Sequence, residues 1–496
     1  MENNKTSYRQ ILKSTSLFGG VQILNILLSV IKTKVITVLI GASGFGVLGL
    51  FSSAIRVIVD FTKIGLDTSA VKEISEYNSK EDKRDVSEFI VVLNKVIWVT
   101  GIIGGLLTIF FSNWLSIWTF GNSEYKYAFI WLSIAILFSQ LANGKMAILQ
   151  GTQQLSSLAK ANLLGNFVGV LVSLPLYYYY GIKGIVPAII ISFMLTYLFS
   201  SFYVKNKKNQ SIKIGFIEIF QKSKAMLSLG ATMSFTSLFV AITLWLIQIY
   251  VRNHGGLDDV GFYSAGLLII NSYIGMIFNA MGTDYFPRLS AINKNNTLIN
   301  KAVNEQADVA VLLITPIIIV FVTFAPVIIR LLYTKEFLVI IGLVTFGVLG
   351  TLFKAVSFSL GYVIIAKGDS KVFIKTSIVF NLLMFLICIL SYKLGGLTGL
   401  GIGLLIYYMI HFIALKIIIN YFYGLTLNKR FYKIFLICIG LCIVSFSGTF
   451  IQNSYARYIV MILIVVISII FTLFEFQKRI NIREMVNEFF KWNKKL

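Results

Sequence analysis

Apolar runs of about 20 residues, each long enough to cross the roughly 30 Å hydrocarbon core of a bilayer as a helix, recur along almost the whole chain. A chain built this way belongs in the membrane, where each crossing helix satisfies its own backbone hydrogen bonds. Composition agrees: 57% of residues are hydrophobic, 13% are charged and the mean hydropathy is +0.82. Soluble domains carry about 25% charged residues. No stretch is left for a soluble domain. The opening MENNKTSYRQILKSTSLF lacks a small-residue cleavage site behind a short apolar core, so it is expected to lead into a retained helix.

Windows of about 19 residues predict an all-α integral membrane fold of about 14 transmembrane helices. They fall at roughly 15–40, 46–68, 89–111, 127–149, 157–178, 183–203, 226–250, 261–282, 307–332, 337–366, 371–391, 397–419, 432–451 and 456–475. Lys and Arg are retained on the cytoplasmic side. With the N-terminus inside, cytoplasmic segments hold about 27 of them and outer loops about six, so both termini are expected in the cytoplasm. The net charge of +23 therefore reflects topology and anionic headgroups, and nucleic acid is not an expected partner. Three cysteines in apolar runs and two distant histidines, His254 and His411, imply no metal site, disulfide framework or cofactor.

Shifting the chain by 215 residues lays Gly46 on Gly261, Ser75 on Ser290, Lys160 on Lys375, Asn166 on Asn381, Gly181 on Gly396 and Gly184 on Gly399, without a gap. Each repeat holds six helices, and an even number keeps both copies in one orientation, related by a pseudo-twofold along the membrane normal. The expected domains are an N-terminal bundle at 1–204, a cytoplasmic linker with an amphipathic segment at 205–225 and a C-terminal bundle at 226–420. Two additional helices at 421–476 and a basic amphipathic tail at 477–496 follow. Such repeats place a substrate site between the halves and work by alternating access.

Charges near the midplane cost about 2.5–3.5 kcal/mol each on insertion scales and need a reason. Arg56, Asp60 and Lys63, spaced four and three apart, share one helical face, as either a self-compensating ladder or a cationic site. Lys354 lies mid-helix with no acidic residue within a turn or two, so its partner is another helix, water or substrate. Lys32 and Lys34 lie in the outer half of the first helix, while Lys95, Lys145, Lys160, Lys375 and Asp308 are placed to snorkel. The amides Gln22, Asn25, Asn166, Asn271, Asn279 and Asn381 read as interhelical glue. Asn271 occupies the repeat position of Arg56, so the halves would present unequal charge there. Tyr177 to Tyr180 read as an interfacial belt. The sequence contains no phosphate-binding G-x-x-x-x-G-K-[ST] loop and no H-E-x-x-H, and its loops are too short to house covalent chemistry.

The stretch GASGFGVLGLFSSAIRV with the following AVKEISEY, and the later LFKAVSFSLGYVIIAKGDS, resemble the polysaccharide transporters of the multidrug/oligosaccharidyl-lipid/polysaccharide superfamily, most closely the Wzx-type O-antigen translocases. The resemblance spans about residues 10–420. It implies two six-helix bundles around a cationic cavity that accepts an undecaprenyl-diphosphate-linked oligosaccharide in a bacterial inner membrane. Carried onto this sequence, Lys34, Arg56 and Lys354 match its basic positions as diphosphate-binding residues, with Asp60, Lys63 and Asn271 as supporting or coupling candidates. Lys32, Lys63 and the two C-terminal helices depart from the pattern. The expected activity is a flippase, with no covalent bond changed; membrane lipids, the glycan polymerase and the chain-length machinery are candidate partners. Two alternatives are a cation-coupled exporter of small amphiphiles on the same fold, disfavoured by the excess of basic residues, and a membrane enzyme of glycan assembly, disfavoured by the short loops.

Overall fold

The computed structural model describes residues 2–79, 83–204 and 216–478. Most of the expected linker and nearly all of the basic tail lie outside these residues. The described chain is helical: α1 Glu2–Lys63, α2 Leu66–Ser79, α3 Lys83–Phe110, α4 Ser112–Phe120, α5 Lys126–Gly151, α6 Leu155–Tyr180, α7 Ile185–Tyr203, α8 Phe216–Leu268, α9 Gly275–Ala291, α10 Asn296–Leu332, α11 Ile341–Ala366, α12 Ser370–Tyr423, α13 Lys429–Gly448 and α14 Ser454–Gln477. A π-helical turn, Ile269–Ile274, joins α8 to α9.

Among the described residues, ten helical runs are long and apolar enough to span a membrane. The four longest run to 39, 49, 58 and 54 residues. At 1.5 Å per residue even the shortest reaches about 58 Å, nearly twice the hydrocarbon core. Each long run is interrupted at glycine: Gly41 in α1, Gly181 between α6 and α7, Gly256 in α8, and Gly395 with Gly396 in α12. The sequence windows separate neighbouring helices at these places by loops of several residues. In the structure the chain instead turns over one or two glycines, because φ near +60° with ψ near −150° is open to glycine almost alone. Two short helices, α2 and α4, have no counterpart among the expected ones. The expected helix at 46–68 ends at Lys63, where Ile64 and Gly65 take positive φ and the chain turns into α2.

The 215-residue repeat is present in the backbone itself. Gly41 (φ 65°, ψ −170°) and Gly256 (φ 78°, ψ −171°) are equivalent, as are Gly181 (φ 53°, ψ −130°) and Gly396 (φ 57°, ψ −140°). α5 and α11 begin and end at equivalent residues, 26 each. Both close on the same left-handed helix cap, in which one amide reaches back five residues and the one before it three. Gln154 N donates to Leu149 O at 2.8 Å and Gln153 N to Gln150 O at 3.0 Å; Asp369 N donates to Ile364 O at 3.2 Å and Gly368 N to Ile365 O at 3.0 Å.

The chain divides into two compact units, 1–264 with 331–337 and 377–385, and 265–330 with 338–376 and 386–496. Within the first unit, α1 and α8 meet backbone to backbone. A side chain on Gly46 would lie 2.1 Å from the carbonyl oxygen of Leu257, and one on Gly261 would lie 2.0 Å from that of Ala42. Ala42 and Leu257 are themselves repeat equivalents, so the contact is reciprocal, as a local twofold passing between Gly46 and Gly261 requires. Small residues permit this approach in a membrane, where close packing replaces the hydrophobic effect as the force between helices. Elsewhere in this unit, Phe51, Phe120, Tyr125 and Phe129 interlock with centroids 3.9–6.3 Å apart, and Leu66, Ala70 and Ile74 of α2 pack on Leu93 and Ile97 of α3. In the second unit, α11 is buried along Leu343, Gly347, Gly350 and Thr351, and α14 is pinned to α10 by Thr472 Oγ1 donating to Leu312 O at 3.0 Å.

Candidate anion site on two helical scaffolds

In the first unit, the face of α1 beyond Gly41 carries a charge ladder. Lys63 Nζ lies 2.7 Å from Asp60 Oδ1 and 3.2 Å from Asp67 Oδ2, while Arg56 Nε is 3.7 Å from Asp60 Oδ2. Asp67 stands in the first turn of α2, brought back toward α1 by the turn at Ile64 and Gly65. The four side chains are formally neutral together, where Arg56, Asp60 and Lys63 alone sum to +1. Exposure separates them: the Asp60 side chain is 6% exposed and that of Lys63 19%, but the Arg56 side chain is 59% exposed. Asp60 is therefore served chiefly by Lys63, and the Arg56 guanidinium keeps most of its five donors free for another acceptor.

Behind the ladder lies a polar network that sequence reading missed. Gln140 of α5 is buried; it donates to Thr62 Oγ1 at 2.5 Å and accepts from Thr100 Oγ1 at 3.0 Å. Lys63, Asp67, Gln140 and Asn143 line a pocket there, and Asp67 and Asn143 also line an adjoining cleft of about 300 Å³ with Gln150. A glutamine inside an apolar run was the available signal for this network. Lys145 donates to Asn94 Oδ1 at 3.1 Å, so this lysine is held within the protein.

Lys34 sits on the other side of Gly41 and is partly buried. Its Nζ donates to the backbone carbonyl of Tyr333, just past the end of α10. Tyr333 stacks on Phe337 at 4.9 Å, and both rings pack edge-on against Phe45. The structure does not bring Lys34 into the Arg56 ladder.

In the second unit, Lys354 of α11 donates to Asn271 Oδ1 at 3.1 Å. Its Nζ lies 5.7 Å from the centroid of Phe278 and 5.3 Å from that of Tyr408, within cation–π range. Among the described residues no carboxylate pairs with it. Asn271 occupies the π-helical turn Ile269–Ile274, a rare wide turn that is frequent at functional sites. The repeat position that carries Arg56 in the first half is thus filled in the second by an amide that holds a lysine from another helix. A lysine steadied by two ring faces and one amide oxygen retains donors for an anion.

A family model described as "Polysaccharide biosynthesis protein" matches residues 35–342. The chain belongs to that family. A Shigella flexneri protein described as an O-antigen transporter is 24% identical over 342 residues, covering 67% of this chain and 79% of its own. Among solved structures, the lipid II flippase MurJ in an inward closed conformation aligns with a TM-score of 0.67 at 14% identity, covering 94% of this chain and 99% of that one. An inward-facing multidrug resistance MATE transporter of the MOP superfamily aligns at 0.66 and 16% identity, covering 83% and 95%. At such identities the structural likeness concerns the fold, which is that of multi-span membrane transporters. Among its described residues this family member is all-helical, with ten helical runs long and apolar enough to span a membrane, as the apolar runs and the repeat lead one to expect.

Proposed function

We propose that this family member is a flippase that carries undecaprenyl-diphosphate-linked O-antigen or related oligosaccharide units from the cytoplasmic to the periplasmic leaflet of a bacterial inner membrane, with both termini cytoplasmic. Two six-helix bundles, 1–204 and 226–420, alternate in access, and Arg56, Lys354 and Lys34 bind the diphosphate. The observation that carries this reading is Lys354, a cation held by Asn271, Phe278 and Tyr408 with no paired carboxylate among the described residues. The exposed Arg56 guanidinium supports it as a second cation, able to grip phosphate with two parallel hydrogen bonds. Lys34 enters this reading with its carbonyl partner exchanged for a phosphate oxygen. Asp60 and Lys63 act as the support that orients Arg56, and Asn271 as the support of Lys354.

No covalent bond changes in this process. An inside-negative potential favours outward movement of anions by about 2.3 kcal/mol per charge per 100 mV, so two uncompensated charges gain roughly 4–5 kcal/mol. Deleting the protein in its source cell tests the reading against a role as polymerase or glycosyltransferase. The expected result is accumulation of complete lipid-linked repeat units that stay sheltered from periplasmic enzymes. Accumulation of incomplete units, or of complete units already exposed outside, overturns it.

A further inference from the structure

At the end of the first unit where α4 meets α8, three indoles form a graded stack. Trp114 and Trp118 lie 4.3 Å apart at 30°, and Trp118 and Trp245 lie 6.5 Å apart at 26°. The outer two are 46% and 45% exposed, and Trp245 is 5% exposed. Arg252 is clamped beside them: its Nη2 donates to Trp118 O at 3.1 Å, and its Nη1 fills the place a side chain on Gly121 would take. Trp245, Gln248 and Arg252, spaced three and four apart, share one face of α8.

This small region also concentrates unmet hydrogen-bonding capacity. Trp245 Nε1, Gln248 Oε1, Arg252 Nε and Thr119 Oγ1 are buried atoms with no hydrogen-bond partner among the described residues. Trp245, Gln248 and Thr119 are each more than nine-tenths buried. Buried polar atoms are ordinarily paired, and here two unmet donors belong to Trp245 and Arg252, which both contact Trp118, with the Gln248 acceptor about one turn from each along α8 and the Thr119 hydroxyl on the residue after Trp118. A sugar ring matches that combination, with an apolar C–H face to stack on indole and a hydroxyl edge to give and accept hydrogen bonds. An interfacial lipid belt needs exposed amphipathic rings whose polar ends reach headgroups or water, and it does not account for buried polar atoms left unmet. Trp131 and Tyr127, 61% and 72% exposed, have that simpler character.

We infer that Trp114, Trp118, Thr119, Trp245, Gln248 and Arg252 form a saccharide-binding site, separate from the cations that hold the diphosphate. The inference rests on the flippase reading for its ligand, one sugar residue of the transported glycan. On the proposed topology the site lies at the outer end of the unit, where the glycan arrives.

The test is calorimetric titration of the full chain in nanodiscs of a single phosphatidylcholine, with saccharide released by mild acid from the lipid-linked pool of the source cells. Saturable binding is expected for the wild type and for Trp131→Ala. Trp118→Ala and Gln248→Leu are expected to bind at least tenfold more weakly, and Trp118→Phe, which keeps a ring and guards against misfolding of the alanine variant, within a few-fold of wild type. Absence of saturable binding, equal binding by Trp118→Ala and Trp131→Ala, or competition by glycerol phosphate as well as by saccharide overturns the inference. Transport of the lipid-linked pool by a wild type that binds no saccharide defeats this site alone. Saccharide binding without transport defeats the flippase reading and leaves the site standing.

Discussion

Lys354→Ala is expected to lower transport of the lipid-linked precursor at least tenfold while leaving protein levels in the membrane unchanged. The ammonium has two ring faces and an amide as neighbours, so removing it strands no opposite charge, and Asn271 stays exposed to solvent or substrate. What is lost is a charge-assisted hydrogen bond to the anion, about 1.5–3 kcal/mol and so roughly 10–100-fold. Arg56→Ala is expected to behave alike, with Arg56→Lys intermediate, because an ammonium offers a point charge where guanidinium offers a planar fork. Combining Arg56→Ala with Asp60→Ala is not expected to restore transport. Asp60 keeps Lys63 at 2.7 Å when Arg56 is gone, so the single variant leaves no unpaired carboxylate for the second change to relieve. Transport counts normalised to protein level in reconstituted vesicles measure all four variants. A fully active Lys354→Ala, or a rescued double variant, makes these residues structural staples.

Lys63→Met is expected to act oppositely, on stability. Asp60 is 6% exposed at its side chain, and without Lys63 its nearest cation is Arg56 at 3.7 Å through a single nitrogen. Breaking a buried pair from one side costs about 3–5 kcal/mol, since an uncompensated charge remains. The variant should show a lower unfolding midpoint in detergent and reduced accumulation in the membrane. Pairing it with Asp60→Asn should recover most of the loss, because removing both charges of a buried pair is close to neutral. An unchanged midpoint for Lys63→Met, or a double variant no better than the single, contradicts the assignment of Lys63 as the principal partner of Asp60.

Asp67, the second partner of Lys63, shows where sequence reading stops. The Arg56, Asp60 and Lys63 spacing is visible as a helical face, but Asp67 joins it only because the chain turns at Ile64 and Gly65. Averaging over about 19 residues carries the expected helix straight through that turn and blurs α2 and α4, which are too short to span. The breaks at Gly41, Gly181, Gly256 and Gly396 fall in gaps between the windows, but nothing in the windows shows that each gap closes to a turn over one or two glycines. Long-range partners are equally silent: nothing in the sequence ties Lys34 to a carbonyl 299 positions away, or Lys354 to Asn271. By contrast the repeat register was fully legible, since equal spacing of anchors such as Gly46 with Gly261 and Gly181 with Gly396 survives in the equivalent backbone angles and in the reciprocal contact of α1 with α8. Asn271 was also visible as the counterpart of Arg56. Its π-helical turn and its lysine were not.

The central claim is translocation, and leaflet-resolved detection of the lipid-linked precursor addresses it most directly. Vesicles loaded with the source cell's lipid-linked pool, with and without the purified full chain, are treated from outside with an enzyme that modifies only exposed glycan. The account predicts that protein-free vesicles stop near half modification, whereas vesicles with the protein proceed to near completion, more slowly for Arg56→Ala and Lys354→Ala. Modification that stops near half with the wild-type protein present contradicts it.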